Sequence, residues 1–183
     1  MKQYVYFITE GNKDMRSILG GKGANLSEMY NIGLPVPETF TVSTDACLKY
    51  YDDNKKIAQE IQDQIWVNVK KLEDATGKVF GDQQNPLLLS VRSGAVFSMP
   101  GMMDTVLNLG LSDATAAAFA GKTGKPVFVY DLYRRFIEMF SNVVRGVERH
   151  KFEAVVEELK HAKGYVDTNE FSVEDELESI RQR

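Results

Sequence analysis

Of 183 residues, one is cysteine, two are histidine, one is tryptophan and five are proline. A single thiol, Cys47, cannot close an intramolecular disulfide, so the fold must be held by its core, and a reducing, cytoplasmic compartment suits it. With no histidine beside it in sequence and no local signature around it, Cys47 is expected to be a small core residue rather than a nucleophile. His150 and His161 do not lie in a metal-ligand spacing and are expected on the surface. No run approaches the roughly 18 apolar residues of a membrane span. The opening apolar stretch Tyr4–Ile8 is too short for a secretory leader and passes directly into Thr9-Glu10. A charge excess is missing as well. The 22 basic and 26 acidic residues leave a net charge of −4, which provides no field to draw the chain to nucleic acid.

What remains is an ordinary globular composition, 43% hydrophobic and 26% charged, enough for one domain or two lobes that bury roughly two-thirds of the extended surface. Tyr4–Ile8 reads as a strand, as does the alternating Thr39–Ser43. Thr44 or Asp45 is expected to cap a short helix reaching Tyr51. Ile57, Ile61, Ile65, Val69 and Leu72 then mark one apolar helix face, bordered by Trp66 and closed at Gly77. In that position Trp66 is expected to pack at the core or its edge rather than serve as a stacking platform.

Between the first two strands lies Leu19-Gly20-Gly21-Lys22-Gly23-Ala24, a glycine-rich turn that feeds a helix start whose apolar positions are 26, 29 and 30. Free N–H groups at that start, the helix dipole and the lysine all favour an anion. The dipole contributes about 0.3–1 kcal/mol at an exposed end, whereas a hydrogen bond from a charged group is worth about 1.5–3 kcal/mol. Lys22 is therefore expected to carry more of any affinity than the helix. The spacing is not that of a P-loop, because Arg16 stands where its first glycine belongs and Gly23 where its Ser or Thr belongs. Close packing of a glycine-rich connection remains the alternative reading of this turn.

The chain is organised around Ser90–Gly110, SVRSGAVFSMPGMMDTVLNLG. The apolar run Pro86–Val91 before its loop reads as a buried strand, and Thr105–Leu109 after it as a second strand. Arg92, glycines, Pro100-Gly101, two methionines and Asp104 lie between them and fit neither helix nor strand. A loop exposing a cation, backbone N–H groups and a carboxylate can hold an anionic ligand; an ordinary hairpin with a surface arginine is the alternative. Beyond Gly110 the pattern is helical. An alanine-rich helix from Ser112-Asp113 is expected to stop at Gly121. A longer helix follows Pro126 with apolar positions 129, 132, 136, 137, 140, 143 and 144, and Arg134 and Arg135 on it are expected to be solvated. Another helix spans roughly 151–163. A capping box at Ser172–Asp175 opens a last charged helix with no stop signal, which predicts that the chain is a piece of a longer protein.

Taken together, SVRSG, SMPGMMDTVLNLGL, LGGKGANLSEM, IGLPVPETFTVST and YDLYRRFIEMFS closely resemble the N-terminal nucleotide-binding domain of the pyruvate, phosphate dikinase family. Phosphoenolpyruvate synthases and rifampin phosphotransferases share the GGK turn and a VRS segment but lack PGMMDT. The resemblance implies an α+β fold, the N-terminal part of an ATP-grasp, with a mixed α/β lobe at 1–111 and a helical subdomain at 112–183. It implies a parent enzyme that interconverts ATP, phosphate and pyruvate with AMP, pyrophosphate and phosphoenolpyruvate. Its other parts would be a swivelling phosphohistidine domain and a pyruvate/phosphoenolpyruvate-binding barrel. It also assigns phosphate contacts of ATP to Lys22 and Arg92, a backbone contact to Gly101 and a hydroxyl contact to Thr105, leaves the roles of Met103 and Asp104 open, and assigns none to Val96-Phe97. Magnesium ligands are expected outside this chain, so the chain alone is expected to be inactive. The alternatives are a water-using dikinase such as phosphoenolpyruvate synthase, or a non-catalytic nucleotide-binding module.

Overall fold

The computed structural model describes residues 2–94 and 104–182. Helices dominate, and the strands form two separate antiparallel pairs rather than one sheet, an α+β arrangement. Packing divides the described residues into two compact units. One holds the chain up to Lys78 together with Ser93 and Gly94, and the other holds Val79–Arg92 and everything from Asp104 onward.

In the first unit β1 (Val5–Phe7) pairs with β2 (Phe40–Val42), Val5 opposite Val42 and Phe7 opposite Phe40. Between them runs α1 (Arg16–Asn31). The next helix, α2 (Thr44–Asp52), is capped by Ser43, whose Oγ accepts from the Ala46 N–H. The cap thus lies one residue before the expected Thr44, because Ser43 is the last extended residue and its hydroxyl reaches the free N–H groups of the first turn. In α3 (Gln59–Thr76) the expected face is present from Ile61 through Val69 and Leu72, with Gly77 as a left-handed cap. Ile57 lies outside that helix and is half exposed. Gln64 of α3 ties helix to strand: its Oε1 accepts from the N–H groups of Tyr4 (2.7 Å) and Val5 (3.1 Å), and its Nε2 donates to the Lys2 carbonyl. Tyr4, Val5, Ala46 and Ile61 form the core beneath these contacts.

Two expectations fail in this unit. Cys47 is exposed, since Ala46 takes the inward position on the short helix α2 and its neighbour must face elsewhere. Trp66 is 60% exposed, on the side of α3 away from Ile61, Val69 and Leu72.

The second unit contains β3 (Leu89–Arg92) and β4 (Thr105–Leu109), followed by α4 (Asp113–Thr123), α5 (Pro126–Arg145), α6 (Arg149–Lys163) and α7 (Val173–Arg181). β3 is not the buried strand expected. Pro86 and Leu87 are buried, but Ser90, Val91 and Arg92 are exposed, because a strand with a single partner has little to cover it. The hairpin packs its Val106 with Leu111, Ala116, Ala120, Val129 and Phe136 from α4 and α5, so packing groups it with the helices rather than with the residues that precede it, and the grouping differs from a division at residue 111. Helix α4 passes the expected stop at Gly121 and ends at Gly124, which adopts the left-handed cap conformation. Pro126 opens α5, where its missing N–H costs nothing. As expected, Ser172 and Asp175 form a capping box on α7.

Arg134 is not solvated. It is 5% exposed, pairing with Asp131 one turn back and with Glu176 of α7, whereas Arg135 is exposed.

Candidate functional site

The glycine turn breaks α1 in two. Gly20 has φ 69° and ψ 171°, a conformation open essentially to glycine alone, and the helix restarts beyond it. Gly23 follows for a different reason: a Cβ there would lie 2.8 Å from Thr41 Oγ1 and 3.1 Å from Leu19 Cβ. Part of the GGKG pattern is therefore packing against β2, as the alternative reading held. Lys22 stands between these two glycines and is exposed. Its Nζ donates a long hydrogen bond, 3.4 Å, to the Ser93 carbonyl, the residue that follows Arg92 in the chain.

On the hairpin, Arg92 ends β3 and Thr105 begins β4, and the two are direct cross-strand partners. Directly opposed residues of an antiparallel pair project to the same face, so a guanidinium and a hydroxyl flank the two ends of the connecting loop together. Arg92 is exposed, Thr105 half-buried, and Asp104 exposed just before it. Gly101, Met103 and Val96-Phe97 lie outside the described residues.

Charge partners separate these cations from most others. Lys2, Lys13, Lys49, Lys70, Lys71, Arg134, Arg135, Arg149, Lys151, Lys160 and Lys163 each sit within ion-pair distance of a carboxylate. Among the described residues Lys22 and Arg92 do not. A cation already neutralised must give up a partner before binding phosphate, and these two need not. His150 and His161 are exposed, as expected. Among the described residues no three His, Cys, Asp or Glu side chains gather in a way that could hold a metal ion, so these residues do not fit a magnesium site. No helix among them is long and apolar enough to cross a membrane.

Residues 16–80, which include the broken helix and Lys22, match the family model described as the pyruvate phosphate dikinase AMP/ATP-binding domain. The chain is also 55% identical over 170 residues to a pyruvate, phosphate dikinase of Clostridium symbiosum, a match covering 92% of this chain and 20% of that protein. This sequence belongs with the N-terminal region of the pyruvate, phosphate dikinases. A chloroplastic dikinase of Mesembryanthemum crystallinum is 50% identical over 174 residues, 95% of this chain and 18% of its own length. The chloroplastic dikinase 1 of Zea mays is 49% identical over the same 174-residue length, with the same two shares. The chain thus spans about a fifth of the length of the dikinases it matches. Sequence reading did not identify the Ser93 carbonyl as the partner of Lys22, since no local pattern relates residues 71 positions apart.

Proposed function

We propose that this chain is the ATP-binding part of a pyruvate, phosphate dikinase. The parent would interconvert ATP, phosphate and pyruvate with AMP, pyrophosphate and phosphoenolpyruvate through a phosphohistidine carrier. The reading is carried by one observation: Arg92, with no carboxylate partner among the described residues, stands directly opposite Thr105 where the hairpin opens into its loop. Lys22, on the broken helix in the residues matched to the AMP/ATP-binding family, supports it. In this reading Lys22 and Arg92 bind phosphate oxygens by charge-assisted hydrogen bonds, Thr105 contributes a hydroxyl, and Gly101 a close backbone approach. The ATP-grasp assignment belongs to the same proposal, as does a cytoplasmic setting. Magnesium, which would neutralise phosphate charge during transfer, has to be held by other parts of the parent. So do the carrier histidine and the pyruvate-binding barrel. The chain by itself then binds nucleotide without turnover.

Phosphorus NMR of the full-length parent with ATP, pyruvate and magnesium tests the proposal. Phosphate-dependent appearance of phosphoenolpyruvate and pyrophosphate is expected. Phosphoenolpyruvate formed without added phosphate would make the parent a water-using dikinase, and no conversion would leave a nucleotide-binding module.

A further inference from the structure

The two strands of the hairpin do not keep step. Leu89 pairs with Leu109, but Val91 pairs with Val106 and Arg92 with Thr105. Two steps along β3 are matched by three along β4, so β4 carries one extra residue in the Leu107-Asn108 stretch. Asn108 has φ 59°, the left-handed conformation that absorbs the extra residue in a β-bulge. After glycine, asparagine is among the residues that adopt it most readily. The bulge has a packing consequence. Val106 is buried and Leu109 packs against the same core, although three residues apart they would face opposite sides of a regular strand. If the register at Leu89–Leu109 continued unbroken, Arg92 would stand opposite Val106 instead of Thr105.

We propose that Asn108 is a positioning residue for the nucleotide site: by taking up the extra residue of β4 in a left-handed conformation it sets Arg92 opposite Thr105. The role in nucleotide binding rests on the proposed ATP reading, whereas the role in setting the register does not. Asn108 need not touch the ligand. It acts through the register, and a guanidinium moved by one residue along the strand is displaced by about 3.3 Å, more than a phosphate contact tolerates.

Three variants test this. Asn108→Gly keeps the left-handed conformation, Asn108→Val opposes it, and deletion of Asn108 removes the extra residue and leaves Val106 and Leu109 two apart with Arg92 still opposite Thr105. Cross-strand nuclear Overhauser contacts of residue 92, measured on the isotope-labelled 183-residue chain, report the register. The Gly variant and the deletion are expected to keep the contact with residue 105, and the Val variant to lose it. In the full-length parent, KM for ATP should rise about tenfold or more for Val and change little for Gly. A Val variant that keeps the contact with residue 105 overturns the proposal. Should that variant not fold, loss of the contact in either of the other two overturns it equally. A lost contact with unchanged KM for ATP would preserve the positioning of the strand and remove the ATP reading.

Discussion

Arg134 Nε lies 2.8 Å from Glu176 Oε2, a charged hydrogen bond that joins α5 to α7 with the carboxylate side chain wholly buried. Burying two charges is costly unless both are matched, and removing one partner leaves the other charge in a medium that solvates it poorly. Arg134→Leu is expected to destabilise the chain by about 3–5 kcal/mol. Arg134→Met with Glu176→Leu should recover most of that loss, because no buried charge is then left deprived of its main partner. Urea unfolding of both variants checks it: the single variant should shift the midpoint strongly, the double variant weakly.

The neighbouring carboxylate makes the same helix sensitive to acid. Asp175 is held below its ordinary value of 3.8, first by the backbone N–H of Ser172, with the Ser172 hydroxyl and Lys163 adding to it against the cost of burial. Because the folded value is depressed, its contribution is complete above about pH 5 and is lost as pH falls below 4 through the folded value. Thermal unfolding between pH 7 and pH 2, all values about 0.1 apart in precision, should show stability falling with acid, and Asp175→Asn should reduce that dependence at the cost of the charged cap. A slope unchanged by the substitution would assign the acid sensitivity elsewhere.

How far the sequence alone could be read depended on whether the deciding contact was local. The face of α3 from Ile61 to Leu72, the proline start of α5 and the capping box at Ser172 all came from residues within a turn or two of one another. Arg134 was misjudged because its partner Glu176 is 42 residues away, and charge on a helix reads as solvated until a distant carboxylate is known. Cys47 failed for a different reason: on the short helix α2 one register step separates the buried Ala46 from an exposed neighbour. At the candidate site, Lys22, Arg92 and Thr105 were named from motif wording, and the bulge at Asn108 was missed because only strand pairing exposes an extra residue.

Glycine in the GGKG turn can be tested by packing. An added methyl at Gly23 would come within 2.8 Å of Thr41 Oγ1 and 3.1 Å of Thr41 Cγ2, so Gly23→Ala is expected to cost about 1–3 kcal/mol through overpacking. Thr41→Ala removes both of those atoms. The pair Gly23→Ala with Thr41→Ala should therefore be more stable than the sum of the two single changes, with Leu19 Cβ at 3.1 Å limiting the recovery. A double-mutant cycle by denaturant unfolding measures the coupling. Simple additivity would mean that Gly23 is needed for something other than room beside β2.

Lys22 and Arg92 should differ in how they fail. Arg92 presents a planar fork of donors and Lys22 a single mobile ammonium, so each has its own conservative variant. In the full-length parent, Arg92→Ala is expected to lower kcat by a factor equivalent to about 2–4 kcal/mol of lost transition-state stabilisation. Arg92→Lys should recover only part of it, because a point charge cannot make two parallel hydrogen bonds. Lys22→Arg should recover more of what Lys22→Ala loses, since Lys22 has only a long, 3.4 Å hydrogen bond to the Ser93 carbonyl to give up. Thr105→Val keeps the shape and removes the hydroxyl, at an expected cost of about 0.5–1.5 kcal/mol in kcat/KM for ATP. Steady-state kinetics with ATP as the varied substrate separates these outcomes. If Arg92→Ala turns over like the unaltered enzyme, the arginine opposite Thr105 is an ordinary surface residue of a hairpin, and the phosphate contact must be sought on the broken helix that carries Lys22.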